Sequence, residues 1–142
     1  MKKIDVHALD VVAKTLWGEA RGEGRTGMKA VAHVIKNRAD ISKQNGGYWW
    51  GNGLVGVCKK PWQFSCWNKS DPNRAKLEGS KLYSNLSFSV ALEVAEEVLT
   101  GQSADITNGA NHYHTKDMDS YPKWAAEAKP VAEIGNHLFY KL

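Results

Sequence analysis

The stretch LWGEARGEG, Leu16–Gly24, decides how this chain is read. Upstream of it, Leu9, Val12, Ala13, Leu16 and Ala20 recur at the spacing of a helix with one apolar face. Asp5 stands where a side-chain oxygen caps such a helix, and Gly22 and Gly24 stand where it must end. The stretch therefore sets two carboxylates, Glu19 and Glu23, at a helix end among glycines. If the helix runs on, both lie on one side of it. Glu19 follows Trp17 and Gly18 and precedes Ala20, which gives its carboxyl an indole and small groups for neighbours. Such surroundings exclude water, disfavour the charged form and raise the pKa. A carboxyl that stays protonated near neutral pH can protonate a glycosidic leaving oxygen. The same residues equally suit a surface helix with Glu–Arg pairs, Glu19 with Arg21 or Glu23 with Arg25.

Working outward, Thr26 is placed to cap a second helix, on which Ala30, Val31, Val34, Ile35 and Arg38 recur. From Asp40 to Asn85 the pattern dissolves into Gly, Asn, Ser, Trp and Pro, with one short helical segment near Asn73–Glu78. A stretch this long is rarely idle connection in a compact domain. Ser87 then opens a third helix with Val90, Ala91, Val94, Ala95, Val98 and Leu99 as its apolar stripe, and Gly101 stops it. Glu93, Glu96 and Glu97 fall mostly off that stripe and read as a solvated face. Beyond Asp105 the composition is that of loops, with a short strand expected at His137–Tyr140. The fold class is mainly α, or α+β with little sheet.

The chain has 142 residues, 42% hydrophobic and 24% charged, enough for one domain with its own core. The net charge of +4 favours anionic partners. No run of Lys and Arg exceeds two residues, and no helix-turn-helix or aromatic RNA motif occurs, which argues against nucleic acid. Asp5, His7 and Asp10 interrupt the N-terminal stretch where a signal peptide needs apolar residues. No stretch is apolar enough to span a bilayer, so no stable membrane insertion is expected. The six Trp sit mostly among Gly, Asn, Pro and Lys, a setting that suits flat ligands such as sugars or the packing of a loop-rich fold.

Two further segments could carry chemistry. In KPWQFSCW, Lys60–Trp67, an extended backbone would put Trp62 and Phe64 on one side and Gln63 and Ser65 on the other. In NGANHYHTK, Asn108–Lys116, the side chains of Asn111, His112, Tyr113 and His114 are dense in hydrogen-bonding groups. The only cysteines, Cys58 and Cys66, show no metal-ligand spacing, so neither a metal nor a cofactor is expected. Cys66 with His112 or His137 could form a thiol nucleophile and base. Alternatively the two cysteines could be reduced when made and pair with each other outside a cytoplasm.

Taken in order, these segments resemble the SleB-type cell wall hydrolases, named for the spore cortex-lytic enzyme and similar to domains of phage and prophage lysins. The resemblance runs through WGEARGEG at Trp17–Gly24, GMKAVAHVIKNR at Gly27–Arg38, KPWQFSCW at Lys60–Trp67, NGANHYH at Asn108–His114 and GNHLFY at Gly135–Tyr140. It covers almost the whole chain, so residues 1–142 are read as one catalytic domain. It implies a lysozyme-like, lytic-transglycosylase-like fold and cleavage of the bond between N-acetylmuramic acid and N-acetylglucosamine in peptidoglycan. It implies Glu19 as the catalytic acid, matches Glu23 to a second family carboxylate, and sets Gln63 and Asn111, His112 and Tyr113 in places that look like the family's substrate cleft; with Trp62, Phe64 and Ser65, read from their own chemistry, these are the expected substrate-binding residues. The paired cysteines, the YWWGNG insert at Tyr48–Gly53 and the lack of an attached wall-binding domain set the chain apart from the spore enzymes and favour a phage-type lysin.

The expected enzyme is a monomeric lytic transglycosylase with one catalytic glutamate, made in a cytoplasm and acting on the wall after release. Three alternatives stay open. They are a muramidase with a second carboxylate, a Cys/His wall peptidase or amidase, and a non-catalytic glycan-binding module.

Overall fold

A computed structural model of the chain describes residues 5–44, 46, 50–60 and 63–142. Five helices come first in the chain: α1 (Val6–Ala20), α2 (Gly24–Gln44), α3 (Gly53–Lys59), α4 (Pro72–Glu78) and α5 (Leu86–Leu99). A small sheet follows, built from β1 (His112–Thr115), β2 (Ala132–Ile134) and β3 (His137–Tyr140). Single 3-10 turns at Arg21–Glu23, Ser65–Trp67, Ser80–Ser84 and Lys123–Ala125 join or extend these elements. The mainly α, lysozyme-like class expected from the sequence is the class observed.

The core lies where α1 packs on α5 and α2. Val12 and Leu16 of α1, Ile35 of α2 and Phe88, Val94 and Val98 of α5 are fully enclosed there. Burial of such side chains contributes about 1.5–3 kcal/mol each. The sheet has the order β1-β3-β2, antiparallel throughout, with Tyr113 opposite Phe139 and Ala132 opposite the same Phe139. Ala30 and Val34 of α2 meet Ala110 and Phe139 in a smaller apolar cluster that fixes the sheet against the helices.

Local sequence accounts for the helix starts. Asp5 caps α1, accepting from the His7 amide at 2.8 Å. Asp71 caps α4, accepting from the Asn73 amide at 2.8 Å, and Pro72 occupies the first turn, where no amide hydrogen is needed.

Two expected caps are corrected. Helix α2 starts at Gly24, directly from the preceding 3-10 turn, so Thr26 lies inside the helix. Helix α5 is capped by Asn85, which accepts from the Ser87 amide at 2.9 Å, while the Ser87 hydroxyl accepts from Trp17 Nε1 at 2.8 Å. Helix α3 and strands β1 and β2 were not expected. They are short, and their glycines and polar residues hide any periodicity. Among the described residues no helix is long and apolar enough to cross a membrane.

Candidate functional site

Glu19 occupies the last turn of α1 and is partly buried. The residue before it explains the setting. A Cβ on Gly18 would lie 2.6 Å from the Cys66 Cβ and 2.8 Å from its Sγ, so only a glycine lets the Ser65–Trp67 turn pack this close to α1. The turn thereby presents the backbone amides of Cys66 and Ser65 to the Glu19 carboxylate. Burial pushes the Glu19 carboxyl above the usual carboxylate range. The Cys66 amide pulls it down, repulsion from Asp71 pushes it up, and the Ser65 amide pulls it down more weakly. The balance favours a protonated acid with donors in place for the carboxylate it becomes.

Trp17 does not supply this burial. Residues two apart on a helix point to different sides. The Trp17 indole lies under the Arg21 guanidinium at 3.9 Å and bonds Ser87. Both line a separate groove of about 680 Å³ together with Lys76, Lys81 and Leu82, and Glu19 does not line it.

Tyr113, on β1, lies within electrostatic reach of Glu19. Its ring stacks on Phe139 at 5.6 Å and meets His137 edge-on at 5.3 Å. Burial and the charge of Glu19 push its phenol up, with Arg38 acting in the opposite sense, so it remains a neutral O–H donor. The burial of Arg38 lowers its own pKa. Its Nε donates to the Asn111 carbonyl at 2.7 Å, which ties α2 to the start of β1.

The remaining expected residues divide. Ser65 is exposed beside Glu19. His112 is partly exposed, with its ring 4.8 Å from that of Trp124 and 5.8 Å from that of Trp50. Burial and then Arg38 lower its pKa to about 4, so it is neutral near pH 7. Gln63 donates its amide to the carbonyls of Val57 at 2.7 Å and Trp50 at 3.1 Å, which makes it a loop staple. Phe64 is only 2% exposed and packs 5.4 Å beneath the Arg38 guanidinium.

Asn111 is fully buried, and its side chain pairs with the backbone N–H and C=O of Leu142, both at 3.0 Å. Phe64 and Asn111 are therefore supports beneath the surface, not contacts for a sugar. The extended face expected for Lys60–Trp67 is replaced at Ser65 by the 3-10 turn. Trp62 lies outside the described residues.

Glu23 is also re-placed. Helix α1 ends at Ala20, and the following 3-10 turn carries Glu23 to the β2–β3 hairpin. There it lies 3.4 Å from His137 Nδ1 and against Gly135, whose φ of +57° and lack of a Cβ make room for it. The carboxylate that acts on Glu19 is Asp71. Sequence reasoning missed Asp71 and Arg38. Asp71 carried an ordinary capping signal, and Arg38 a sharper one, a cation on the apolar stripe of α2.

Both cysteines are free and fully buried. Burial pushes the Cys58 thiol up to about 12 and raises that of Cys66 further, which disfavours a thiolate nucleophile. His114 bonds the Thr115 carbonyl at 2.7 Å and the Tyr140 hydroxyl at 2.8 Å. Among the described residues no three metal-ligating side chains cluster.

A family model described as Cell Wall Hydrolase matches residues 22–140, a span that opens just after Glu19. Solved structures with this fold include the catalytic domain of the Bacillus cereus SleB protein, 24% identical with a TM-score of 0.75, covering 99% of this chain and 94% of that one. The catalytic domain of the germination-specific lytic transglycosylase SleB from Bacillus anthracis is likewise 24% identical, with a TM-score of 0.74 and 99% of both chains covered. No curated protein matches the chain.

Proposed function

Because the chain belongs to the cell wall hydrolase family, we propose that it cleaves peptidoglycan between N-acetylmuramic acid and N-acetylglucosamine as a lytic transglycosylase with Glu19 as its one acid. The observation that carries this reading is the partly buried Glu19 carboxyl, its pKa raised by burial and its oxygens faced by the amides of Cys66 and Ser65. Protonated Glu19 donates to the glycosidic oxygen, and the bond from C1 to that oxygen breaks. Positive charge grows on the muramic acid ring. The Glu19 carboxylate, stabilised by the two amides, then takes the proton of the C6 hydroxyl as its oxygen bonds C1. The products are a new sugar hydroxyl and a 1,6-anhydro ring, and Glu19 ends protonated as it began. The neutral Tyr113 hydroxyl is the group beside Glu19 suited to orienting the sugar.

Digestion of purified peptidoglycan, with products resolved by mass spectrometry, tests this. Anhydro-muramic ends from the wild type and none from Glu19→Gln are expected. Ends heavier by one water would favour the second reading, a muramidase. Asp71 would then be the carboxylate to test first, since its charge is the one that reaches Glu19. Cut peptide stems with intact glycan would overturn both.

The YWWGNG insert at Tyr48–Gly53 and the two cysteines, Cys58 and Cys66, support a phage- or prophage-borne lysin acting as a monomer on the wall. Added outside permeabilised cells, the protein would lyse them. Lysis only of spores with an exposed cortex would contradict this assignment.

A further inference from the structure

Beside the site lies a cation without a counter-charge. Arg38 is only 8% exposed, and its Nε is spent on the Asn111 carbonyl. Among the described residues none of the ion pairs includes it. Its two terminal nitrogens make no protein hydrogen bond either, yet no sealed side-chain nitrogen is left without a partner. Those nitrogens therefore keep contact with solvent, and Tyr113 and His112 both feel the charge. The guanidinium carbon also lies 5.4 and 5.9 Å from the ring centres of Phe64 and Trp50.

A buried charge is costly unless something compensates it. A planar guanidinium with two open nitrogens matches a carboxylate, which accepts both in parallel. The reacting carbon is a poor partner, because it becomes positive as the bond breaks. The guanidinium is held between Phe64, the chain neighbour of the Ser65 whose amide faces Glu19, and Asn111, two residues before Tyr113, so the cation is anchored by the same two segments that flank the acid, where a substituent of the bound sugar would pass.

We propose that Arg38 is the receptor for a carboxylate on the muramic acid side arm, and so selects muramoyl strands over uncharged amino-sugar polymers. This rests on the glycan-cleaving reading. Two carboxylates share the chemistry: those of the stem peptide, and the lactyl carboxylate left when the stem is removed.

The test uses Glu19→Gln protein, which holds substrate without turning it over, and calorimetric titration with wall fragments of three kinds. One carries native stems, one has every carboxyl converted to an amide, and one has been trimmed to the lactyl acid. Native fragments should bind roughly tenfold to hundredfold more tightly than amidated ones, the range for a charge-assisted pair. Adding Arg38→Gln should abolish that difference, and Arg38→Lys should keep part of it. Tighter binding of the trimmed fragment assigns the lactyl group, and the reverse assigns the stem.

Equal binding of native and amidated fragments by the Arg38 protein overturns the proposal and leaves the glycan reading standing. A difference that survives in Arg38→Gln does the same. No binding of any fragment overturns both. Should Arg38→Gln fail to fold without its Asn111 bond, the ligand comparison and Arg38→Lys still decide.

Discussion

Gly18 and Cys66 meet so closely that a methyl group on Gly18 would fall 2.6 Å from the Cys66 Cβ. This contact between a helix and a 3-10 turn sets where the Ser65 and Cys66 amides stand relative to Glu19. Gly18→Ala must push the turn away. Overpacking of this kind costs about 1–3 kcal/mol. Thermal denaturation should show a lowered midpoint. Wall-lytic activity measured below that midpoint should fall by about tenfold or more, since removing one donor at a developing charge costs at least that much. Unchanged activity in a folded Gly18→Ala protein would remove the turn from the site.

Asp71 gives a test of pH dependence. Its charge raises the Glu19 pKa, and in the proposed mechanism Glu19 acts in its protonated form, so activity should fall as pH rises through that pKa. Asp71→Asn keeps a side-chain oxygen to cap α4 and deletes the charge. The basic limb of the pH–rate profile should move to lower pH, with the maximal rate little changed. If Asp71 were instead the base for a hydrolytic water, the maximal rate itself would collapse, by roughly a hundredfold or more.

The helices were legible in the sequence because burial on one face leaves a periodic trace, as in Val90–Leu99. The proposed acid drew attention in the sequence because Glu19 combines a helix end with small neighbours. What stayed hidden depends on contacts between distant segments. Glu23 looked like a partner of Glu19 only while α1 was extended past Ala20. The 3-10 turn redirects it to His137, far along the chain. Asn111 and Gln63 looked like ligand-binding amides. Their partners are backbone groups of Leu142, Val57 and Trp50, and a side-chain pattern cannot reveal those. Arg38 sat in plain view on an apolar stripe, where a cation is the exception that signals a role.

The thiols provide a test of the Cys/His alternative. Cys58 and Cys66 are fully buried and their thiols are pushed up by that burial. Neither should react with an alkylating reagent in the folded protein at neutral pH, and both should react after denaturation, as followed by mass. Rapid native labelling of Cys66 with loss of activity would instead point to a nucleophile.

The burial that raises the Glu19 pKa also opposes stability. Its folded pKa is raised, so folding favours the protonated form. The stabilising contribution of the proton is fully present below the ordinary carboxyl pKa. It is lost as pH rises through the raised folded value. At neutral pH the folded protein therefore carries the cost of a carboxyl that burial keeps from ionising as freely as it does in the unfolded chain. Glu19→Gln fills the same space without ionising. Its denaturation midpoint should exceed that of the wild type at neutral pH, and the gap should close as pH falls below the ordinary carboxyl range. Chemical denaturation of both proteins across that pH range measures it. A wild type more stable than Glu19→Gln at neutral pH would mean that the amides of Cys66 and Ser65 outweigh burial. In that case Glu19 would be ionised at rest and could not donate the first proton.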